Sequence, residues 1–302
     1  MIRRRILTVL FLLSLCLGLA AQSPQAATPA EPQATHKYAV KYGANPAAGH
    51  TFVHDGVKLY YEVYGAGQPL LMVHGNGASI GSMSAQIDYF RKRYKVIAMD
   101  SRDHGKSGDS DKITYELMAD DLSALLDHLK TGPVDVLGWS DGGIEALLLG
   151  MRHPAQVKMI ASMAANLTPD GLHPDILALI HSWIDEMPAA EKETPAGKRE
   201  LKVTEMLLVE PQIQFSALET ITAPTLILAS DHDGIRDEHT VEIYHHIANS
   251  QLVIFPNATH MIPYDDPVRF NTTVERFFST PFVKKDRVKD LMKSLEAVKA
   301  AG

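Results

Sequence analysis

From Val57 to Tyr64 apolar and polar residues alternate in the manner of a half-buried strand, and Gly65 and Gly67 close a turn before Pro69. Beyond it the alternation gives way to short unbroken apolar runs at 70–73, 96–99, 134–137, 159–163, 225–229 and 252–255. Each run is followed by a turn bearing glycine or acid. Most are separated by segments with helical spacing, as in Leu117, Leu122, Leu125, Leu126 and Leu129. Strands covered on both faces have no reason to alternate, so continuous runs interleaved with amphipathic helices predict an α/β architecture. Its central sheet is mostly parallel, with helices on both faces.

One interval breaks this rhythm. About fifty residues, 166–220, lie between two strands that a single helix would join. They hold Ile176, Leu177, Ile180, Trp183, Ile184 and Met187 at helical spacing, then a Pro/Gly/charge-rich stretch, then an apolar run at 206–209. The pattern predicts a small helical cap inserted over the carboxyl edge of the sheet. Residues 21–50, rich in Ala, Pro, Gln and Thr, read as a flexible leader, and 51–280 as the body. In the tail, 281–302, Val288, Leu291, Leu295 and Val298 share a helical face with lysines on the others, and this face is expected to dock on the body, with membrane contact the lesser alternative.

Three consecutive arginines at 3–5, an apolar stretch at 6–19 and the small residues Gly18 and Ala20 describe a secretory signal peptide, 1–20. The stretch is short for a membrane span, which needs ~20 residues, so no stable span is expected after cleavage. Its removal takes the formal charge from −7 to −10 and eliminates Cys16, the only cysteine. A thiol-free mature chain suits an oxidising compartment. A glycan on the Asn257 sequon would crowd the neighbouring His260, which favours a bacterial periplasmic or secreted setting over a eukaryotic one.

Composition narrows the function classes. Apolar residues make up 45% and charged residues 22% of the 302, ordinary for a globular protein. With 29 Lys+Arg against 36 Asp+Glu there is no electrostatic footprint for nucleic acid. No G-x-G-x-x-G follows the first strand, so no nucleotide cofactor is implied. No metal site is expected either, since the adjacent His245 and His246 face different directions on a helix.

The chemistry concentrates at Gly138-Trp139-Ser140-Asp141-Gly142, between an apolar strand and a helix. A serine forced onto a sharp strand-to-helix turn has a strained backbone, and side chains two residues to either side would collide there. Glycines at both positions remove the collision, and the helix N-terminus favours developing negative charge. Serine needs a base. Of fourteen histidines, His260 stands a short loop beyond the run at 252–255, at a strand's carboxyl end. Asp231 and Asp233 follow the run at 225–229, about one strand-plus-helix unit before it, where a carboxylate would orient the imidazole. His74-Gly75-Asn76-Gly77 follows the run at 70–73, and the amides of Asn76 and Asp141 could form an oxyanion hole.

With these motifs the chain resembles the α/β-hydrolase superfamily, specifically its small-capped members, from about Thr51 to Phe278. The resemblance includes Asp100-Ser-Arg-Asp-His104-Gly105-Lys-Ser107-Gly108, similar to the family's D-x-R-G-x-G-x-S loop with an extra histidine where glycine-rich spacing is usual. It implies the α/β-hydrolase fold, Ser140 as nucleophile, Asp233 as acid, His260 as base, and Asn76 and Asp141 as oxyanion donors. Gly234, which frees the backbone after Asp233, agrees with choosing that acid over Asp231. An aspartate at 141 is less usual for the family.

The resulting expectation is a cofactor-independent serine hydrolase of ester or other acyl bonds, acting on a small, uncharged or apolar molecule. C–C hydrolases, aminopeptidases and perhydrolases share the same triad and stay open. A non-catalytic ligand receptor is the alternative from another class, though a binding module has no need of all three groups.

Overall fold

The computed structural model describes residues 38–301; the expected signal peptide and most of the expected leader lie outside them. Eight strands form one sheet: β1 (Gly49–His54), β2 (Val57–Tyr64), β3 (Gln68–Val73), β4 (Tyr94–Asp100), β5 (Val134–Trp139), β6 (Val157–Met163), β7 (Thr225–His232) and β8 (Ser250–Thr259). Their order is β1-β2-β4-β3-β5-β6-β7-β8. Only β2 runs against its neighbours; β4 through β8 are parallel.

The unbroken runs are explained by two cores. Leu71, Val73, Ile97, Met99, Val134 and Val136 face one side, where they meet Leu122, Leu125 and Leu126 of α2 (Tyr115–Leu129) and Leu147 of α3 (Asp141–Arg152). Leu70, Met72, Val96, Ala98, Leu137 and Trp139 face the other. There they meet Ile87 and Phe90 of α1 (Ser84–Phe90), and Phe270, Val274 and Phe277 of α9 (Pro267–Ser279). Alternate residues of the central strands thus serve opposite cores, and β5 is buried along its whole length. Helix α2 is closed at its start by Thr114, whose hydroxyl accepts from the Leu117 amide at 3.3 Å.

The interval 166–220 contains α4 (Pro174–Glu186), the single turn α5 (Ala189–Lys192) and α6 (Pro195–Val209). Helix α6 is tied to loops at the carboxyl ends of β3 and β4. Its Lys202 ammonium reaches the Asp103 carboxylate at 2.6 Å and also donates to the Ser110 carbonyl, and Arg199 pairs with Asp109 at 2.5 Å. After β7 come α7 (Asp237–His246), the short α8 (Ile262–Asp265) and α9, and then α10 (Arg287–Ala301).

Two expectations need correction. Residues 38–48, read as leader, pack on the body: Tyr42 is buried in the second core, and the amides of Gly43 and Asn45 donate to Glu62 at 2.7 and 3.1 Å. The tail face does not dock as expected, since Val288, Leu291, Leu295 and Val298 are all exposed.

Candidate active site

Ser140 stands between β5 and α3 with φ 59° and ψ −120°, a backbone that L-residues rarely adopt. The flanking glycines are sterically required. A Cβ at Gly138 would sit 1.9 Å from the Gly142 carbonyl oxygen, and one at Gly142 would sit 2.2 Å from that of Val73. The Ser140 amide donates to the Met163 carbonyl at 2.8 Å, fixing the turn to β6. Asp141 opens α3, so its amide is among the first-turn donors that have no partner inside the helix.

The loop after β3 presses on this serine: a Cβ added at Gly75 would lie 3.0 Å from the Ser140 Cβ. Asn76 follows, and its side-chain amide makes two bonds that residue order alone does not reveal. It donates to Asp141 Oδ2 at 2.9 Å and to the Val203 carbonyl of α6 at 2.8 Å. One amide therefore joins the elbow, the loop after β3 and the inserted helices. Burial pushes the Asp141 carboxyl above its usual range, against the lowering pull of the Asn76 bond. Burial also pushes Glu145, one turn further along α3, well above the usual carboxylate range, and the Asp141 charge adds to it.

His260 and Asp233 meet across β7 and β8. The imidazole Nδ1–H donates to Asp233 Oδ1 at 2.7 Å, and the same oxygen accepts the Ile235 amide at 3.2 Å. Trp139, the residue before the nucleophile, donates its indole N–H to the His260 carbonyl at 3.0 Å and so ties the histidine's loop to the elbow. Burial opposes the charged imidazole. The charge and hydrogen bond of Asp233, with the Asp141 charge behind them, outweigh it and hold the His260 pKa above its ordinary value. Asp231 points elsewhere. Its two oxygens accept the amides of Asn257 and Ala258 at 2.7 and 3.0 Å. The structure thus pairs Asp233, and not Asp231, with His260.

The 100–108 loop supports the site from below. Asp100 accepts the amides of Ile80 and Lys106, both at 2.7 Å, while Arg102 makes a two-pronged pair with buried Asp121, both prongs at 2.7 Å. The departure from the family's loop pattern lies at Asp103 and not, as expected, at His104: Asp103 stands at the first glycine's place with φ 61°. Its carboxylate accepts the Ser110 amide at 3.0 Å and holds Lys202, so the side chain that replaces the glycine also anchors α6. His104 is buried against His74, ring centres 5.3 Å apart, and burial lowers both rings to about 4. His74 is a neutral strut: its Nδ1–H donates to the Gly75 carbonyl at 2.8 Å and its Nε2 accepts the Ser101 amide at 3.1 Å. No group of three metal-ligating side chains occurs among the described residues.

The family described as alpha/beta hydrolase fold matches residues 68–202. The chain is 27% identical over 244 residues to the serine hydrolase BPHL of Mus musculus, spanning 74% of this chain and 84% of that protein. It is 29% identical over 140 residues to the uncharacterized hydrolase YraK of Bacillus subtilis (strain 168), of which it covers about half, 48%, with 45% of its own length. Among solved structures it is similar to Est816, described as an N-acyl homoserine lactone degrading enzyme, with a TM-score of 0.67 and 25% identity. That match spans 76% of this chain and 100% of the other. The chain belongs to the α/β-hydrolase superfamily. Its hydrolase relatives make it an enzyme of that type.

Proposed function

We propose that the protein is a cofactor-independent serine hydrolase acting on ester or other acyl bonds of a small, uncharged or apolar molecule. The observation that carries this reading is Ser140 itself, held at φ 59° on the strand-to-helix turn with its flanking positions open only to glycine. Such strain persists where function uses it. In the proposed reaction His260 takes the proton from the Ser140 hydroxyl as the oxygen attacks the carbonyl carbon. The C–O bond to the leaving alkoxide then breaks, and His260 returns the proton to that oxygen. Water, deprotonated by the same imidazole, attacks the acyl carbon; the bond to the Ser140 oxygen then breaks, His260 returns the proton to that oxygen, and the acid leaves.

Asp233 keeps the proton on Nδ1, leaving Nε2 as the base, and stabilises the imidazolium that forms. The amides of Asn76 and Asp141 serve the oxyanion, at ~10²–10³ in rate per donor. The serine hydrolase relative and the lactone-degrading neighbour support an ester-type carbonyl. The basic start and apolar run at 1–20 support export to the periplasm or medium as part of the same reading.

The test is a panel of p-nitrophenyl esters of graded acyl length beside a fluorophosphonate probe. Ester turnover with labelling at Ser140, both lost in Ser140→Ala at an unchanged melting temperature, is the expected result. Labelling without ester turnover would shift the assignment to amide, C–C or peroxide chemistry. A folded protein that the probe leaves untouched would favour a ligand receptor.

A further inference from the structure

We propose that helix α10 is a peripheral membrane anchor whose apolar stripe lies in the interface of an anionic lipid bilayer. Val288, Leu291, Leu295 and Val298 recur at spacings of three and four, with Met292 beside them, so all five fall on one side of the helix. On the preceding α9 an equivalent stripe of Phe270, Val274, Phe277 and Phe278 is buried against the body. On α10 each of the five is between 47% and 72% exposed. The stripe is helical at no expense to the body, since Asp286 caps its start by accepting the amides of Val288 and Lys289 at 3.1 and 2.8 Å.

Charge selects the occupant. Residues 282–302 carry six Lys and Arg against three acids, a net +3 in a chain whose total is −7. On a helical projection Arg287, Lys289 and Lys299 border or interrupt the stripe, with Glu296 the single acid near its margin; Asp290 lies on the far side. A second copy laid along this face would set cation against cation, and 15 residues give only about two heptads, short of a sustained coiled coil. An anionic bilayer surface meets both features, taking the apolar side chains below the headgroups and the lysines among the phosphates. No helix among the described residues is long and apolar enough to cross a membrane, so attachment here lies along the surface.

The test places an indole in the stripe. Full-length Leu295→Trp protein is mixed with vesicles of phosphatidylcholine containing about 30% phosphatidylglycerol, with brominated acyl chains as contact quenchers. Trp139 and Trp183 of the parent protein provide the background. The proposal expects quenching beyond that background, on the order of tenfold stronger than with phosphatidylcholine alone. It also expects the added quenching to fall when Lys289→Glu and Lys299→Glu are introduced. Reading the indole on α10 directly keeps any binding by the apolar run at 6–19 out of the signal. No added quenching, or equal quenching by neutral vesicles, overturns the proposal. So does a dimer in sedimentation equilibrium without lipid that Leu291→Gln/Leu295→Gln converts to monomer, because the second copy would then be the occupant.

Discussion

Strand β5 has a buried acid near each end, and the two are treated differently. Asp141, just past its carboxyl end, receives a hydrogen bond from Asn76 and shares its surroundings with His260. Asp135, second residue of the strand, is equally buried, yet neither of its oxygens accepts a hydrogen bond from the described residues. Its only ionic partner there is Lys158, with nitrogen and oxygen 3.7 Å apart. Burial pushes Asp135 up to about 6 against the pull of Lys158. In a parallel sheet the loops that carry ligating side chains gather beyond the carboxyl ends of the strands. There β3, β5, β7 and β8 deliver Asn76, Ser140, Asp233 and His260 to one another's neighbourhood. Burial opposes ionisation at both ends, but the acid at that edge is held by a hydrogen bond beside the elbow, whereas the one at the amino edge has only a lysine beyond hydrogen-bond distance.

The sharpest way to break this contrast is to remove the charge that β7 delivers. Asp233→Asn should lower kcat by on the order of 10⁴, as the equivalent change does in the serine protease triad. The pH profile supplies a second readout. Asp233 raises the His260 pKa, and the base works only when neutral, so the acid limb of the residual activity should move to lower pH. A limb that stays put would mean another group titrates there. Asn76→Ala comes next. It keeps the backbone amide but frees the loop from both Asp141 and Val203, and kcat should fall about 10- to 100-fold, short of losing an oxyanion donor outright. A change confined to KM would assign Asn76 to substrate binding instead.

How much of this was legible in the sequence follows from the range of each interaction. The parallel strands were readable because both their faces are buried, and the elbow because its steric demand falls within five residues. Chain order led to the pair Asp231 and Asp233, a spacing that topology fixes, and the family resemblance with Gly234 chose Asp233 between them. Strand β1 was missed: its sequence GHTFVH belongs to an antiparallel edge, mixes polar with apolar positions and leaves Val53 exposed. β7 and β8 run beyond their apolar stretches, to His232 and Thr259, because the ladder continues through polar residues. The side-chain role of Asn76 could not be read at all. Its partners stand 65 and 127 residues away, and no local pattern registers such a bond. Asp103 left one trace, an aspartate where the family's loop has glycine, and the left-handed backbone there explains why the position is exacting.

At the amino edge the prediction has the opposite sign. Asp135→Asn should stabilise the protein. The folded pKa of about 6 lies above the ordinary 3.8, so the folded state resists ionisation. Stability from this group is therefore full below pH 3.8, declines as pH rises through 6 and stays low above it. Removing the charge should raise stability by on the order of 1–2 kcal/mol at pH 8 and by almost nothing at pH 4, allowing for an asparagine that is itself buried. Urea titrations of both proteins at the two pH values check it. Equal gains at both would show that packing, not charge, separates them.

The smallest effect tests the two acids of one loop. Asp231 is exposed, but its oxygens accept the Asn257 and Ala258 amides and thereby close β7 onto the strand end that leads to His260. Those two bonds hold its pKa below the usual carboxylate value. A depressed acid contributes stability above pH 3.8 and loses it as pH falls through the lower, folded value. Asp231→Asn retains a carbonyl oxygen that accepts from one of the two amides, so the melting temperature should drop slightly at pH 7. The gap to wild type should close in strong acid, where the parent carboxyl is protonated too. Turnover should stay near wild type throughout, because the imidazole's partner two residues on is untouched. A folded Asp231→Asn protein without activity, beside a near-normal Asp233→Asn protein, would exchange the roles of the two acids.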